Sequence, residues 1–216
     1  ASAEVLGGQY EGQCVFTPPS SSHHRVIQLD SQGKFSGLRQ NEWSKFYGTQ
    51  SPDASGLLDL TYAIRGSVLT NSAEFLSGLS GTIDVDIRKA HLYRIPLFAG
   101  LTEVIASTIP GVDFILAQDN LKSSLAFTNR VFNVKSLSIE GNVFSASGYG
   151  TLQFDGDVNL RIKAHLLNRE TWVGQGLYYV LFPISKILEF QALGPISKPK
   201  WSSATLSQIE NTEVRK

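Results

Sequence analysis

The residues that could carry acid–base, metal or nucleophilic chemistry are few, and their spacing brings no set of them together. The four histidines are His23, His24, His91 and His165. His23 and His24 fall in a polar Pro/Ser stretch, where a solvated pair is the simpler reading. His91 precedes a helical pattern, and His165 sits on the polar side of an alternating run. A structural metal needs about four ligands at characteristic spacings, and no such set is present. Asp84 and Asp86 are two apart and would share one strand face, as paired carboxylates for general acid–base work must. A solvated sheet face with Arg88, Arg161 and Lys163 as cross-strand partners explains them without catalysis. Asp155 and Asp157 flank Gly156, and turn chemistry accounts for both without calcium. Cys14 is the single cysteine, so no intramolecular disulfide can form. A reactive thiol needs an activating base, and no Cys/His signature surrounds it, so it is read as structural. There is no G-x-S-x-G, P-loop or H-E-x-x-H, and Gly148 and Gly150 do not complete a G-x-G-x-x-G. No catalytic residue, metal ligand or cofactor is therefore expected, and the chain is read as a non-enzyme.

Composition narrows the class further. The chain has 216 residues, with Lys+Arg 19 against Asp+Glu 19, a formal net charge of +0. Nucleic-acid binding calls for a basic excess, so no nucleic-acid partner is expected. Hydrophobic residues make up 42%, enough for a sizeable core, while the charged fraction of 18% is low against a usual value of about 25%. No apolar run approaches the ~20 residues of a membrane span. The chain contains no Met and opens on Ala1-Ser2, which reads as a single domain, 1–216, excised from a longer protein. Any contact with a membrane is assigned to parts of that parent not present here.

The elements that could position side chains are mostly alternating strands. Residues 3–16 read as two short strands around Gly7-Gly8, and 17–24 as a loop. Residues 25–35 read as a strand that turns at Ser31-Gln32-Gly33. A short helix is expected within 37–47, with Leu38, Trp43 and Phe46 on one side, and a loop over 48–55. Over 56–66, Leu58, Leu60, Tyr62 and Ile64 point one way, with Asp59, Thr61 and Arg65 opposite. Residues 71–79 read as irregular. Ile83, Val85 and Ile87 then alternate with Asp84, Asp86 and Arg88, the period-two mark of a sheet with one wet face.

At Pro96 the period changes to 3.6. Pro suits a first helical turn, and Leu97, Phe98, Leu101, Val104 and Ile105 recur at helical spacing until Pro110-Gly111. An amphipathic helix over 96–109 is predicted to lie on the apolar side of the sheet. Beyond it, Leu121, Leu125 and Phe127 share a face, and Asn129-Arg130 makes a turn. A flip from Phe132 and Val134 to Leu137 and Ile139 predicts a bulge near Lys135. Gly148 and Gly150 inside a strand mark a bend or a close backbone approach. A hairpin at Asp155-Gly156-Asp157 leads to Val158, Leu160 and Ile162 pointing inward, with Asn159, Arg161, Lys163 and His165 outward. A second helix is predicted over 169–190, through Trp172, Leu177, Val180, Leu181, Ile184, Ile187 and Leu188. An extended segment, 195–201, and a polar tail, 202–216, follow.

This order of elements resembles a known family. The features are Gly7-Gly8-Gln9-Tyr10-Glu11-Gly12, then Leu79-Ser80-Gly81-Thr82-Ile83 leading to Leu92-Tyr93-Arg94-Ile95-Pro96-Leu97-Phe98. Leu137-Ser138-Ile139-Glu140-Gly141 and Phe144 to Leu152 follow, with Gly194-Pro195-Ile196-Ser197-Lys198-Pro199 closing. Together they resemble the C-terminal region of AsmA-like proteins, the bacterial envelope family related to TamB. The resemblance implies a periplasmic, cell-envelope protein whose parent is anchored in the inner membrane and takes part in lipid transport and outer-membrane biogenesis. The partners it implies are phospholipid acyl chains and other envelope proteins.

The expected fold is mainly β: a curled antiparallel sheet, a groove or partial barrel, with two amphipathic helices packed on its concave apolar face. The lining of the groove and its helical lid is expected to comprise Leu58, Leu60, Tyr62 and Ile64; Ile83, Val85 and Ile87; Leu97, Leu101, Val104 and Ile105; and Val158, Leu160 and Ile162. Two functions fit this expectation. One is a lipid-binding or lipid-conducting module, since each buried CH₂ of an acyl chain contributes about 0.8 kcal/mol. The other is a structural or protein-interaction domain whose own helices plug the groove.

Overall fold

The computed structural model describes residues 1–18, 26–47, 55–69, 78–108, 119–141, 144–166 and 188–203. It is mainly β: eleven antiparallel strands form one sheet, each hydrogen-bonded to its neighbours in sequence. The strands are β1 (Ser2–Val5), β2 (Gly8–Thr17), β3 (Val26–Arg39), β4 (Leu57–Leu69), β5 (Leu79–Ala90) and β6 (Asp119–Thr128), then β7 (Val131–Glu140), β8 (Phe144–Gln153), β9 (Asp157–Leu166), β10 (Leu188–Pro195) and β11 (Lys200–Ser203). The sheet does not close, because β1 and β11 stand at its two ends. Among the described residues two short α-helices accompany it, α1 (Gln40–Trp43) and α2 (Pro96–Thr108).

The turns follow from local chemistry. Thr128 and Val131 face each other across Asn129 and Arg130, whose φ values are 48° and 64°. Both central residues are thus left-handed, the twist that suits a two-residue hairpin. The β8–β9 turn uses Gly156 at φ 99°, with Asp157 N–H donating to Asp155 Oδ1 at 3.4 Å. Gly150 allows a close approach: a Cβ there would lie 2.8 Å from the Leu160 Cα on β9.

Bulges set the phase. The expected one at Lys135 is present: Ser124 pairs with Ser136, and Leu125 with Val134, leaving Lys135 unpaired. Two others precede the helices. On β3 the register shifts between Phe35 and Leu38, where Gly37 has φ 68° and donates its N–H to Asp59 Oδ1 at 2.6 Å. On β5 it shifts between Ile87 and Ala90, with Lys89 at φ 51°. Each bulge changes which face later residues take, so Leu38 and Ala90 are buried just before their chains leave the sheet for α1 and α2.

α2 is held at its N-terminal end. Its first turn is preceded by a 3₁₀ turn, Leu92–Arg94, and Leu92 is buried in the main core. Trp201 on β11 donates its indole N–H to the Leu97 carbonyl at 2.8 Å. A Cβ on Gly100 would lie 3.0 Å from that indole ring, so the small residue lets the ring lie against the helix.

Several expectations need correction. No turn occurs at 31–33: β3 runs through it, and Gly33 pairs with both Gly12 and Tyr62. The helix expected over 37–47 starts only at Gln40 and continues as a 3₁₀ turn, Ser44–Tyr47, while Leu38 belongs to β3. The helix expected over 169–190 does not include its last residues: Leu188 to Phe190 open β10 and pair with Ala164 to Ile162. Phe190 is buried there, and pairing with β9 overrides the helical spacing. The rest of that helix, the loops over 19–24 and 48–54, the irregular segment over 70–77, residue 109 of the first helix and the tail from 204 lie outside the described residues.

Candidate functional site

The apolar face of the sheet is continuous in register across the whole array. Tyr10 faces Phe35, Phe35 faces Leu60, and Leu60 faces Val85. Further along, Ile83 faces Leu125, Leu125 faces Val134, and Gly150 faces Leu160. Leu160 faces Ala192, and Ala192 faces Trp201. The sequence-predicted lining residues of β4, β5 and β9 therefore share one face.

Their burial is graded along the sheet. Val158, Leu160 and Ile162 are 4%, 2% and 1% exposed, and Ile87 is 7% exposed. They join Phe98, Leu101 and Ile105 of α2 in one hydrophobic cluster, against which Leu97 and Val104 also pack. Leu58, Leu60, Tyr62, Ile64, Ile83 and Val85 are only half-buried. On β2 and β3 the same face carries half-buried Tyr10 and Phe35 and ends in exposed Phe16. Glu103 and Ser107 are exposed, as the amphipathic pattern requires.

A row of hydroxyls interrupts the half-buried part. Tyr10 and Tyr62 hydroxyls lie 2.9 Å apart, and Ser31 Oγ lies 3.3 Å from Tyr62 Oη. The Tyr10 and Phe35 rings approach to 4.7 Å between centroids. The hydrogen bond with Tyr62, followed by partial removal from water, raises the Tyr10 phenol above its ordinary value of 10.0. The sequence reading places Tyr10 in a short strand without a face or partner, and Ser31 is concealed by the expected turn.

The opposite face is polar, but its pairings differ from expectation. Arg88 bonds Asp59 rather than Asp84 or Asp86, and Lys163 bonds Glu189 at 3.1 Å. Asp86 stands between Asp59 and Lys122 in register, and Asp84 between Thr61 and Ser124. Asp84, Arg161 and Lys163 are exposed, but Asp86 is half-buried rather than exposed, with Oδ1 out of water and lacking a hydrogen bond. The two aspartates line a shallow depression with Lys34 and Lys122, a surface of mixed charge. Cys14 is exposed on β2 opposite Ser31. His165 is exposed opposite Ser145, and His23 and His24 lie outside the described residues. Among the described residues no group of three or more His, Cys, Asp or Glu could hold a metal ion. No helix among them is long and apolar enough to cross a membrane.

No protein-family model, curated protein or solved structure matches the chain.

Proposed function

We propose that this chain is a non-enzymatic cell-envelope module that binds phospholipid acyl chains along the apolar face of its sheet. In this reading the sheet curls into a trough, and α2 lies across the concave side and closes one end. It belongs to a periplasmic, AsmA-like parent anchored in the inner membrane and contributes to lipid transfer in outer-membrane biogenesis. The observation that carries the reading is the burial gradient: one continuous apolar face is buried around α2 and in a small second cluster of Val68, Leu79 and Phe127, and half-buried over the middle of β2–β5, from Tyr10 and Phe35 to Leu60, Tyr62, Ile83 and Val85. A half-exposed aromatic and aliphatic surface of this kind is costly in water and marks a binding surface.

A second reading has an observation of its own. Phe98, Leu101 and Ile105 are 3%, 0% and 1% exposed, as expected of a helix that plugs the trough permanently in a structural or protein-interaction domain. Native mass spectrometry of the purified protein separates the two. The lipid reading expects stoichiometric co-purified phospholipid, with the amount changed in Leu101→Asp, which puts an unpaired charge in the core at a cost of several kcal/mol. Glu103→Gln should leave both lipid and fold unchanged. A wild-type protein that carries no phospholipid and takes up none from vesicles would leave the structural reading in place.

A further inference from the structure

The hydroxyl row on β2–β4 has a property that the acyl-binding reading does not use. Three hydroxyls carry three protons, but the row contains only two hydrogen bonds, Tyr10 to Tyr62 and Ser31 to Tyr62. A hydroxyl supplies one donor and two acceptor sites, so whichever way the bonds run, one proton remains to be donated outward. All three residues are half-buried, which leaves that proton open to a ligand on this face.

The surroundings choose the acceptor. By register, the face around the row carries Cys14, Gly33, Phe35, Leu60, Ile64 and Ile83, none of them cationic. Lys34 and Arg65 project to the opposite face. A phosphate or carboxylate lying here would lose hydration without gaining a counter-charge, which is far more costly than placing a neutral carbonyl that receives one hydrogen bond. The raised Tyr10 pKa agrees with a neutral donor. The floor is shaped for the rings: a Cβ at Gly33 would lie 2.8 Å from the Tyr10 ring and 3.0 Å from the Tyr62 ring. Glycine there lets both tyrosines lie down on the sheet, their hydroxyls meeting and their ring faces forming an apolar surface.

We infer that the Tyr10–Tyr62–Ser31 row is a subsite for the ester carbonyl of a phospholipid whose acyl chain lies on the half-buried part of this face. The charged headgroup then stays outside, at the rim. The inference rests on the acyl-binding reading and specifies which part of the lipid is read.

The test compares a short-chain diacyl phosphatidylcholine with the diether lipid of equal chain length, each titrated below its micelle concentration into delipidated protein. The wild type should prefer the diester by about three- to tenfold, the worth of one neutral hydrogen bond. The triple variant Tyr10→Phe/Tyr62→Phe/Ser31→Ala, which removes every hydroxyl of the row, should abolish the preference while keeping diether affinity within about twofold. Ser31→Ala, which leaves both rings in place with two hydroxyl protons and one hydrogen bond between them, should keep it. If the wild type binds both lipids equally, the ester subsite is wrong and the trough survives. A preference that persists in the triple variant puts the carbonyl elsewhere and overturns the inference. Binding of neither lipid overturns the trough reading and this one together.

Discussion

Tyr10 illustrates how one side chain reports on its setting. Its phenol is half-buried, bonded to the Tyr62 hydroxyl and held in the neutral form above its ordinary value of 10.0. A phenol whose folded pKa exceeds its unfolded one contributes stability that is fully present below the unfolded pKa. That contribution disappears as pH rises through the folded pKa, because the unfolded chain then ionises more readily. The expected outcome is that one tyrosine of the seven titrates late in an alkaline phenolate-absorbance titration. Unfolding midpoints should fall between pH 10 and the late transition. In Tyr10→Phe the late component should vanish; if it remains, another tyrosine carries the shift. The sequence places Tyr10 in a short strand but shows neither its face nor this partnership, because Tyr62 lies 52 positions away and only the register of three strands brings the hydroxyls together.

At the scale of elements, Gln40 joins pieces that share no pattern. It is 1% exposed and begins α1. Its side-chain amide donates to the His91 carbonyl at 3.1 Å and accepts from the His91 N–H at 3.0 Å. Its own N–H donates to the Gly56 carbonyl at 2.7 Å. One residue thus ties the end of β3, the start of β4 and the link between β5 and α2. Gln40→Leu should lose both side-chain bonds and leave buried groups without them, at a cost of about 2–4 kcal/mol. Urea unfolding should show a lower midpoint with unchanged slope. Glu42→Ala, which removes an exposed i,i+3 ion pair with Lys45, should cost about 0.5 kcal/mol or less. A Gln40→Leu midpoint equal to the wild type would mean that the clamp contributes nothing. Nothing in the sequence marks Gln40, since a polar residue in a short helical stretch carries no periodic signal. The strands are legible because alternation is local: the phase flip alone locates the Lys135 bulge, and the change of period at Pro96 locates α2. Gly33 misleads because glycine after Ser31 and Gln32 reads as a turn, whereas its actual role is to lie under two rings from neighbouring strands. Leu188 misleads because helical spacing over an apolar stretch does not reveal that Phe190 completes the core beside Ile162.

Across the whole molecule, every strand pairs only with its neighbours in sequence, so the sheet is close to one-dimensional. In such an array local stability follows local burial and nearest-neighbour pairing, and opening can proceed from the ends. The two ends are unequal. Strands β6–β10 have pairing partners on both sides, and their inward residues sit in the main core; Ile139 and Ala192 are 0% exposed. β1 has a partner on one side only, β2 is paired to it along just part of its length, and the apolar face of β2–β4 is half-buried over most of its length, with only Leu38 and Val68 among its large apolar residues buried. Native-state hydrogen exchange should therefore be graded. Amides of β7–β9 should exchange through global unfolding, and those of β2 and β3 at least about a hundredfold faster, a difference of roughly 3 kcal/mol in opening free energy. If the half-exposed face takes acyl chains, phospholipid should slow exchange in β2–β4 selectively, because a ligand stabilises the states that bind it, while β7–β9 stay unchanged. Uniform protection across the sheet would refute the gradient. Slowing that is confined to the α2 end would move the binding surface to the region where the core is already closed, and the trough would have to open by displacing its own helix.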